Sequence, residues 1–131
     1  MAVEIPVLMK TFEAAGDLST KQYFYMKLTS TFNRVTVCTG ATDKPIGVLQ
    51  NKPDAAGKAA EVMIVGITKG SADAALSIGD LVGTSADGQV DAKTPGTDTG
   101  EYVTGQVLEA ATAAADLITM TVDCLNIHRA A

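Results

Sequence analysis

The sequence predicts a mainly β fold: a small β-barrel or β-sandwich with at most one or two short helical turns and an N-terminal arm. Three observations carry this prediction. Short apolar runs recur at close, even intervals and are separated by Gly, Pro, Asn and Asp. Within several runs, apolar and polar residues alternate with period two. No repeat of solenoid length is present, and no low-complexity tract beyond short alanine runs.

The chain divides into an arm, residues 1–22, and a β-rich domain, residues 23–131. In the arm, Pro6 blocks a helix and Gly16-Asp17 marks a turn. Residues 11–15 suit a helical turn or a short strand equally. From Tyr23 the pattern becomes that of strands. Phe24, Met26 and Leu28 alternate with Tyr23, Tyr25 and Lys27. Residues 29–33 form a polar turn, and residues 34–38 alternate again with Val35 and Val37 on one face. A loop with Gly40, Asp43 and Pro45 precedes a short strand at 47–50, which ends at Asn51 and Pro53.

Residues 61–67 are apolar enough for a strand buried on both faces. Residues 71–76 suit one helical turn, with Ser71 as N-cap and Asp73 in the first turn. Asp87-Gly88 signals a two-residue hairpin between Val82 and Val90. Residues 92–100, rich in Thr, Pro and Gly, are expected to be an exposed loop and the most mobile segment. A strand over 102–108 leads to an alanine-rich stretch, 109–115. Propensity favours helix there, but the stretch is short enough for a β-turn to compete. Ile118, Met120, Val122 and Cys124 then face one way along the last strand, and residues 126–131 read as a tail.

Composition narrows the function. Hydrophobic residues make up 47% of the 131-residue chain, enough for one core, but aromatics are only 5% and Trp is absent. Val, Ile, Leu and Met are therefore expected to build that core. The net charge is −5 and the ten basic residues are scattered, so no patch invites a phosphate backbone or an anionic membrane surface. No apolar run approaches spanning length. The N-terminus lacks the pattern of a secretory signal, so synthesis in a cytoplasm-like compartment is expected. Cys38 and Cys124 each sit in a strand-like run and read as buried free thiols, with a disulfide as the alternative.

Motifs that carry chemistry fail on inspection, and no catalytic residue, metal site or cofactor is expected. Gly57-Lys58 lacks the earlier glycine of a phosphate loop, where Lys52 stands, and lacks the hydroxyl residue that should follow, where Ala59 stands. Taking Gly88 as the invariant glycine of a calcium loop would put Gly83, Ser85 and Thr94 at ligand positions they cannot serve. His128 is the only histidine and has no nucleophile context. Glu61 and Asp123 are acids within apolar runs, yet both read as solvent-face residues rather than an acid–base pair. A surface that binds explains the chain better than an enzyme does.

Several blocks together carry a resemblance. They are Pro45-Ile46-Gly47-Val48-Leu49-Gln50-Asn51, then Ala56-Gly57, Val62 and Gly66, then Ile78-Gly79-Asp80-Leu81-Val82 with Gly88, and finally Gly105-Gln106-Val107-Leu108-Glu109-Ala110-Ala111. In the order of glycines and strands, residues 23–125 resemble the capsid cement or head decoration proteins of tailed bacteriophages, with the lambda-type decoration protein a similar case. The resemblance implies a tulip-like β domain on the outer surface of the mature head, part of the virion after synthesis in the bacterial host cytoplasm. Its partners would be the major capsid protein and copies of itself in a homotrimer, with no nucleic acid and no membrane. It would clamp neighbouring capsid subunits and stabilise the shell against internal DNA pressure.

By the same resemblance, the arm would bind the capsid through Ala2, Val3, Glu4, Ile5, Pro6, Val7 and Leu8. Its apolar residues suit strand addition to a sheet edge, and packing on their own domain serves them equally well. The alternative function is a β-barrel interaction subunit of the phage tail or fibre base.

Overall fold

The computed structural model describes residues 4–131, and among them it has eleven strands and no helix. The strands are β1 (Ile5–Ala14), β2 (Tyr25–Leu28), β3 (Arg34–Val37), β4 (Pro45–Leu49), β5 (Ala59–Ser71), β6 (Leu81–Thr84), β7 (Val90–Ala92), β8 (Tyr102–Val103), β9 (Gly105–Glu109), β10 (Leu117–Asp123) and β11 (His128–Arg129). Nine of them form one sheet in the order β1-β3-β2-β4-β5-β10-β9-β6-β7, and β1 also pairs with β5. That last pairing closes β1, β3, β2, β4 and β5 into a ring, a small barrel. The remaining four strands extend from the far half of β5.

The ring closes because β5 is long. Its first half pairs with β1, from Glu13 opposite Ala59 to Ile5 opposite Ile67. On its other edge, Met63 and Val62 pair with Val48 and Leu49 of β4. Its second half pairs with β10, from Asp123 opposite Val65 to Leu117 opposite Ser71. Two glycines permit the crowding. A Cβ on Gly47 would lie 2.4 Å from the Met63 carbonyl oxygen. At Gly66 the backbone has φ +148°, and a Cβ would lie 2.6 Å from the Ile5 carbonyl oxygen. Gly66 stands where β5 passes from the barrel to the extension, opposite Pro6 and beside a bulge in β1 at Val7.

One core runs through both parts and is mostly Val, Met, Leu and Ile, with Met26, Leu49, Met63, Ile118 and Met120 among its fully buried members. Its largest buried side chain is nonetheless a ring, Tyr25, which the expectation of a ring-poor core missed. The Tyr25 hydroxyl accepts a hydrogen bond from Thr104 Oγ1 at 2.8 Å and lies 3.8 Å from Met120 Sδ. A satisfied hydroxyl lets the ring sit in the core, joining the barrel to the extension.

Two local expectations, at 71–76 and 126–131, are corrected, and the choice left open at 109–115 falls to the turn. Residues 71–76 make no helical turn: Ser71 ends β5, the Asp73 amide donates to the Val90 carbonyl at 2.8 Å, and Ala72 and Leu76 bridge to Val90 and Ala111. Residues 109–115 turn instead of coiling, because the Asp116 carboxylate accepts from the amides of Thr112 and Ala113 and from the Thr112 hydroxyl. Residues 126–131 are no loose tail, since β11 pairs with β8 and Ala130 is buried. The Ala130 carbonyl also accepts from the Gly96 amide at 2.8 Å, which ties the exposed 94–100 loop to the C-terminal strand. The base of that loop is held by Lys93, whose fully buried side chain reaches Glu101 and, at 3.4 Å, Asp91.

The loop between β3 and β4 is organised by Asp43. Burial opposes its charge, but the Thr39 amide at 2.9 Å, the Lys27 ammonium at 3.0 Å and the Gly40 amide at 3.0 Å all donate to it. The donors prevail and hold the carboxyl below its ordinary value of 3.8.

Two predictions follow from these contacts. Gly66→Ala strains φ and pushes a methyl group against β1, so it should lower stability by about 1–3 kcal/mol in denaturant titration. Asp43→Asn should cost about 1 kcal/mol at neutral pH. Because Asp43 ionises more readily in the folded than in the unfolded protein, its contribution is complete above the unfolded value and fades as pH falls through the folded one. The gap between wild type and Asp43→Asn should therefore close in acid, and a gap constant with pH would contradict the assignment.

Candidate functional site

The N-terminal segment singled out from sequence is a strand with one open edge. Ile5 to Glu13 of β1 pair with β5 on one side. On the other side β3 pairs with β1 only at Glu13 and Ala14, in parallel. Beyond that point the chain leaves β1, because Asn33 adopts φ +61° and turns the backbone away into the 29–33 turn. The line that β3 would have continued beside Thr11, Met9 and the residues before them is vacant among the described residues.

The amide directions follow from the register. The Glu13 amide donates to the Asn33 carbonyl at 2.8 Å and the Ala14 amide to Lys58 on the β5 side at 2.8 Å. Successive amides alternate, so those of Met9 and Thr11 point to the open edge.

Glu4, Ile5, Pro6, Val7 and Leu8 are brought together along this strand. Ala2 and Val3 lie outside the described residues. Glu4 is held by Lys69 at 3.4 Å and by the Tyr23 hydroxyl, which donates at 3.5 Å. Ile5 lies opposite Ile67, Pro6 opposite Gly66 and Leu8 opposite Val65, while Val7 is the bulged residue. Ile5, Val7, Leu8 and Met9 stay exposed, Val7 at 74%. The described part of the arm thus pairs with its own domain through one edge and presents the other, with apolar side chains, to solvent.

A groove of about 410 Å³ continues the open edge. Phe12 forms its buried floor, Leu28 and Phe32 flank it, and Lys10, Asn33 and residues 29–31 complete it. Phe32 is 94% exposed. The Lys10 ammonium sits 4.3 Å from the centre of the Phe12 ring and donates to Asn33 Oδ1. Sequence reading missed this groove and took residues 29–33 only as a polar turn. The available signal was a phenylalanine placed in that turn, one of only three in the chain.

The remaining chemistry-bearing residues do not converge. Glu61 and Asp123 are exposed, and His128 is exposed on β11. Gly57 and Lys58 lie at a turn, with Gly57 at φ +84°. Gly88, at φ +87°, sits in the turn between β6 and β7. Cys38 and Cys124 are free, buried thiols. Burial pushes the Cys38 thiol up to about 12, and burial with the neighbouring Cys38 pushes Cys124 up as well, so neither ionises at neutral pH. Among the described residues no group of three His, Cys, Asp or Glu is placed to hold a metal ion.

Comparison with known proteins bears on this geometry. A family model described as phage cement protein matches residues 10–123. Among solved structures, the N base of head fiber gp8.5 in bacteriophage phi29 shares the fold with a TM-score of 0.66 and 18% sequence identity, covering 89% of this chain and 94% of that one. No curated protein matches the chain. The chain belongs to the phage cement protein family: it is a structural component of the phage capsid that binds capsid proteins.

Proposed function

We propose, from membership in that family, that this protein attaches to the outer surface of the mature head and joins neighbouring major capsid subunits without catalysing a reaction. The open edge of β1 carries this reading. A strand edge with outward amides at Met9 and Thr11 is a template on which a segment of a capsid subunit can add as a further strand. Main-chain hydrogen bonds would supply the attachment, and the exposed Ile5, Val7, Leu8 and Met9 would be covered with it. Glu4 to Leu8, with Ala2 and Val3 before them, are the proposed capsid-binding residues. Assembly as a homotrimer would multiply weak single attachments through effective concentration and so resist the pressure of packaged DNA.

The fold shared with the N base of a head fiber favours a second reading, in which the domain is a fibre base. A fibre base need not strengthen the shell. A cement protein should rescue heads lacking it from rupture on heating, and absence of rescue would favour the fibre base.

Binding itself is tested by co-sedimentation with expanded heads and with unexpanded proheads of the parent phage. Saturable binding to expanded heads alone is expected. Thr11→Pro removes an outward amide and no hydrogen bond to β5, so the fold should persist while affinity for heads falls ten-fold or more, and Thr11→Ala should bind like wild type. If Thr11→Pro remains folded and binds heads as wild type does, the edge is not the attachment site.

A further inference from the structure

We propose that the groove between Lys10, Phe12, Leu28, Phe32 and Asn33 receives an extended capsid segment that carries an apolar side chain and a carboxylate on one face, two residues apart. This rests on the strand-addition reading of the β1 edge and names what the added strand must contain.

The position comes from the turn at Asn33. A strand laid against the outward amides of Met9 and Thr11 occupies the line that β3 leaves, and one end of it meets the 29–33 turn. There it encounters Phe32 at 94% exposure and Leu28 at 55%, above the buried Phe12. An aromatic and an aliphatic side chain held open on either side of a floor suit a single apolar side chain entering between them. Residues two apart on a strand share a face, so the next side chain on that face reaches Lys10 or its surroundings.

Charge chooses the second group. The chain has 15 acidic residues and a net charge of −5, yet none of the residues lining this groove is acidic. The Lys10 ammonium meets only neutral acceptors among the described residues, Asn33 Oδ1 and, at 3.5 Å, the Thr11 carbonyl. Glu13, on the same strand, is engaged by Arg34 at 3.3 Å. A cation on an aromatic face beside a vacant strand line is complementary to a carboxylate. The same charge argues against a second copy seated here by a two-fold contact, because a two-fold axis at the groove would set one Lys10 against the other.

The test uses expanded heads free of this protein, with wild type, Phe32→Ser, Lys10→Glu, Lys10→Arg and Thr11→Pro measured side by side. Both substituted groove residues are exposed, so all groove variants should unfold at the wild-type midpoint. Phe32→Ser and Lys10→Glu should each weaken head binding ten-fold or more, Lys10→Arg should retain it, and added salt should weaken wild type more than Lys10→Glu. Wild-type affinity in Phe32→Ser and Lys10→Glu, with Thr11→Pro still impaired, would overturn the groove assignment and leave the edge reading standing. No binding by wild type would remove both. Self-association in sedimentation velocity that Phe32→Ser abolishes, with head binding intact, would assign the groove to a second copy and overturn the proposal.

Discussion

The architecture depends on one strand serving three partners. β5 pairs with β1 on one edge, and with β4 and then β10 on the other. Pairing with β1 and β4 together closes the ring, and pairing with β10 starts the extension. The overlap falls at Val65, Gly66 and Ile67, where β1 and β10 flank the same residues. Three strands crowd there, and a side chain on Gly66 would meet the β1 backbone. The local departure from regular pleating, a positive φ paired with a bulge at Val7, is the geometric solution. It also turns Val7 outward, so the constraint that closes the barrel shapes the surface proposed for binding.

An open edge beside exposed apolar residues invites unwanted pairing, and the chain carries several devices against it. Pro6 removes a donor, the Val7 bulge disturbs the edge, and Lys10 places a charge beside it. None of these blocks the stretch from Met9 to Thr11. On the strand-addition proposal the edge would thus be selective: a chance strand would meet irregular backbone and a cation, while a segment with the right charge and an apolar side chain at the groove end would find regular, outward amides.

Much of the fold was legible because strands declare themselves by alternation and turns by Gly, Pro and Asp. The 118–124 run and the apolar core of β5 follow from local pattern, and the structure has them; a hairpin also forms around Asp87-Gly88, but its connection runs from Ser85 to Gln89 instead of being two residues long. The helical turn at 71–76 was misread because capping signals at Ser71 and Asp73 are local, whereas bridges to Val90 and Ala111 come from distant sequence. β11 was missed for the same reason, being two residues long and paired with the two-residue β8. Ring closure through β1 and β5 links residues some fifty positions apart, and no periodicity encodes it. The arm was legible as a candidate by its apolar residues, but its edge was not, since an edge exists only once its neighbours are placed.

That difference explains why the proposed binding surface has no sharp motif. Catalysis and metal binding demand particular side chains at particular spacings, and tests for them on this sequence fail residue by residue. Strand addition demands main-chain groups that every residue but proline possesses, so its requirement is that a neighbour be missing. Here the missing neighbour results from one residue, Asn33, whose left-handed backbone takes β3 away from β1. Specificity must then come from whatever side chains border the vacancy. Phe32 and Lys10 border it, one an aromatic left in water and the other a cation without a carboxylate among the described residues. Both features are individually ordinary in a sequence, and only the turn at Asn33 places them at the end of the same open edge.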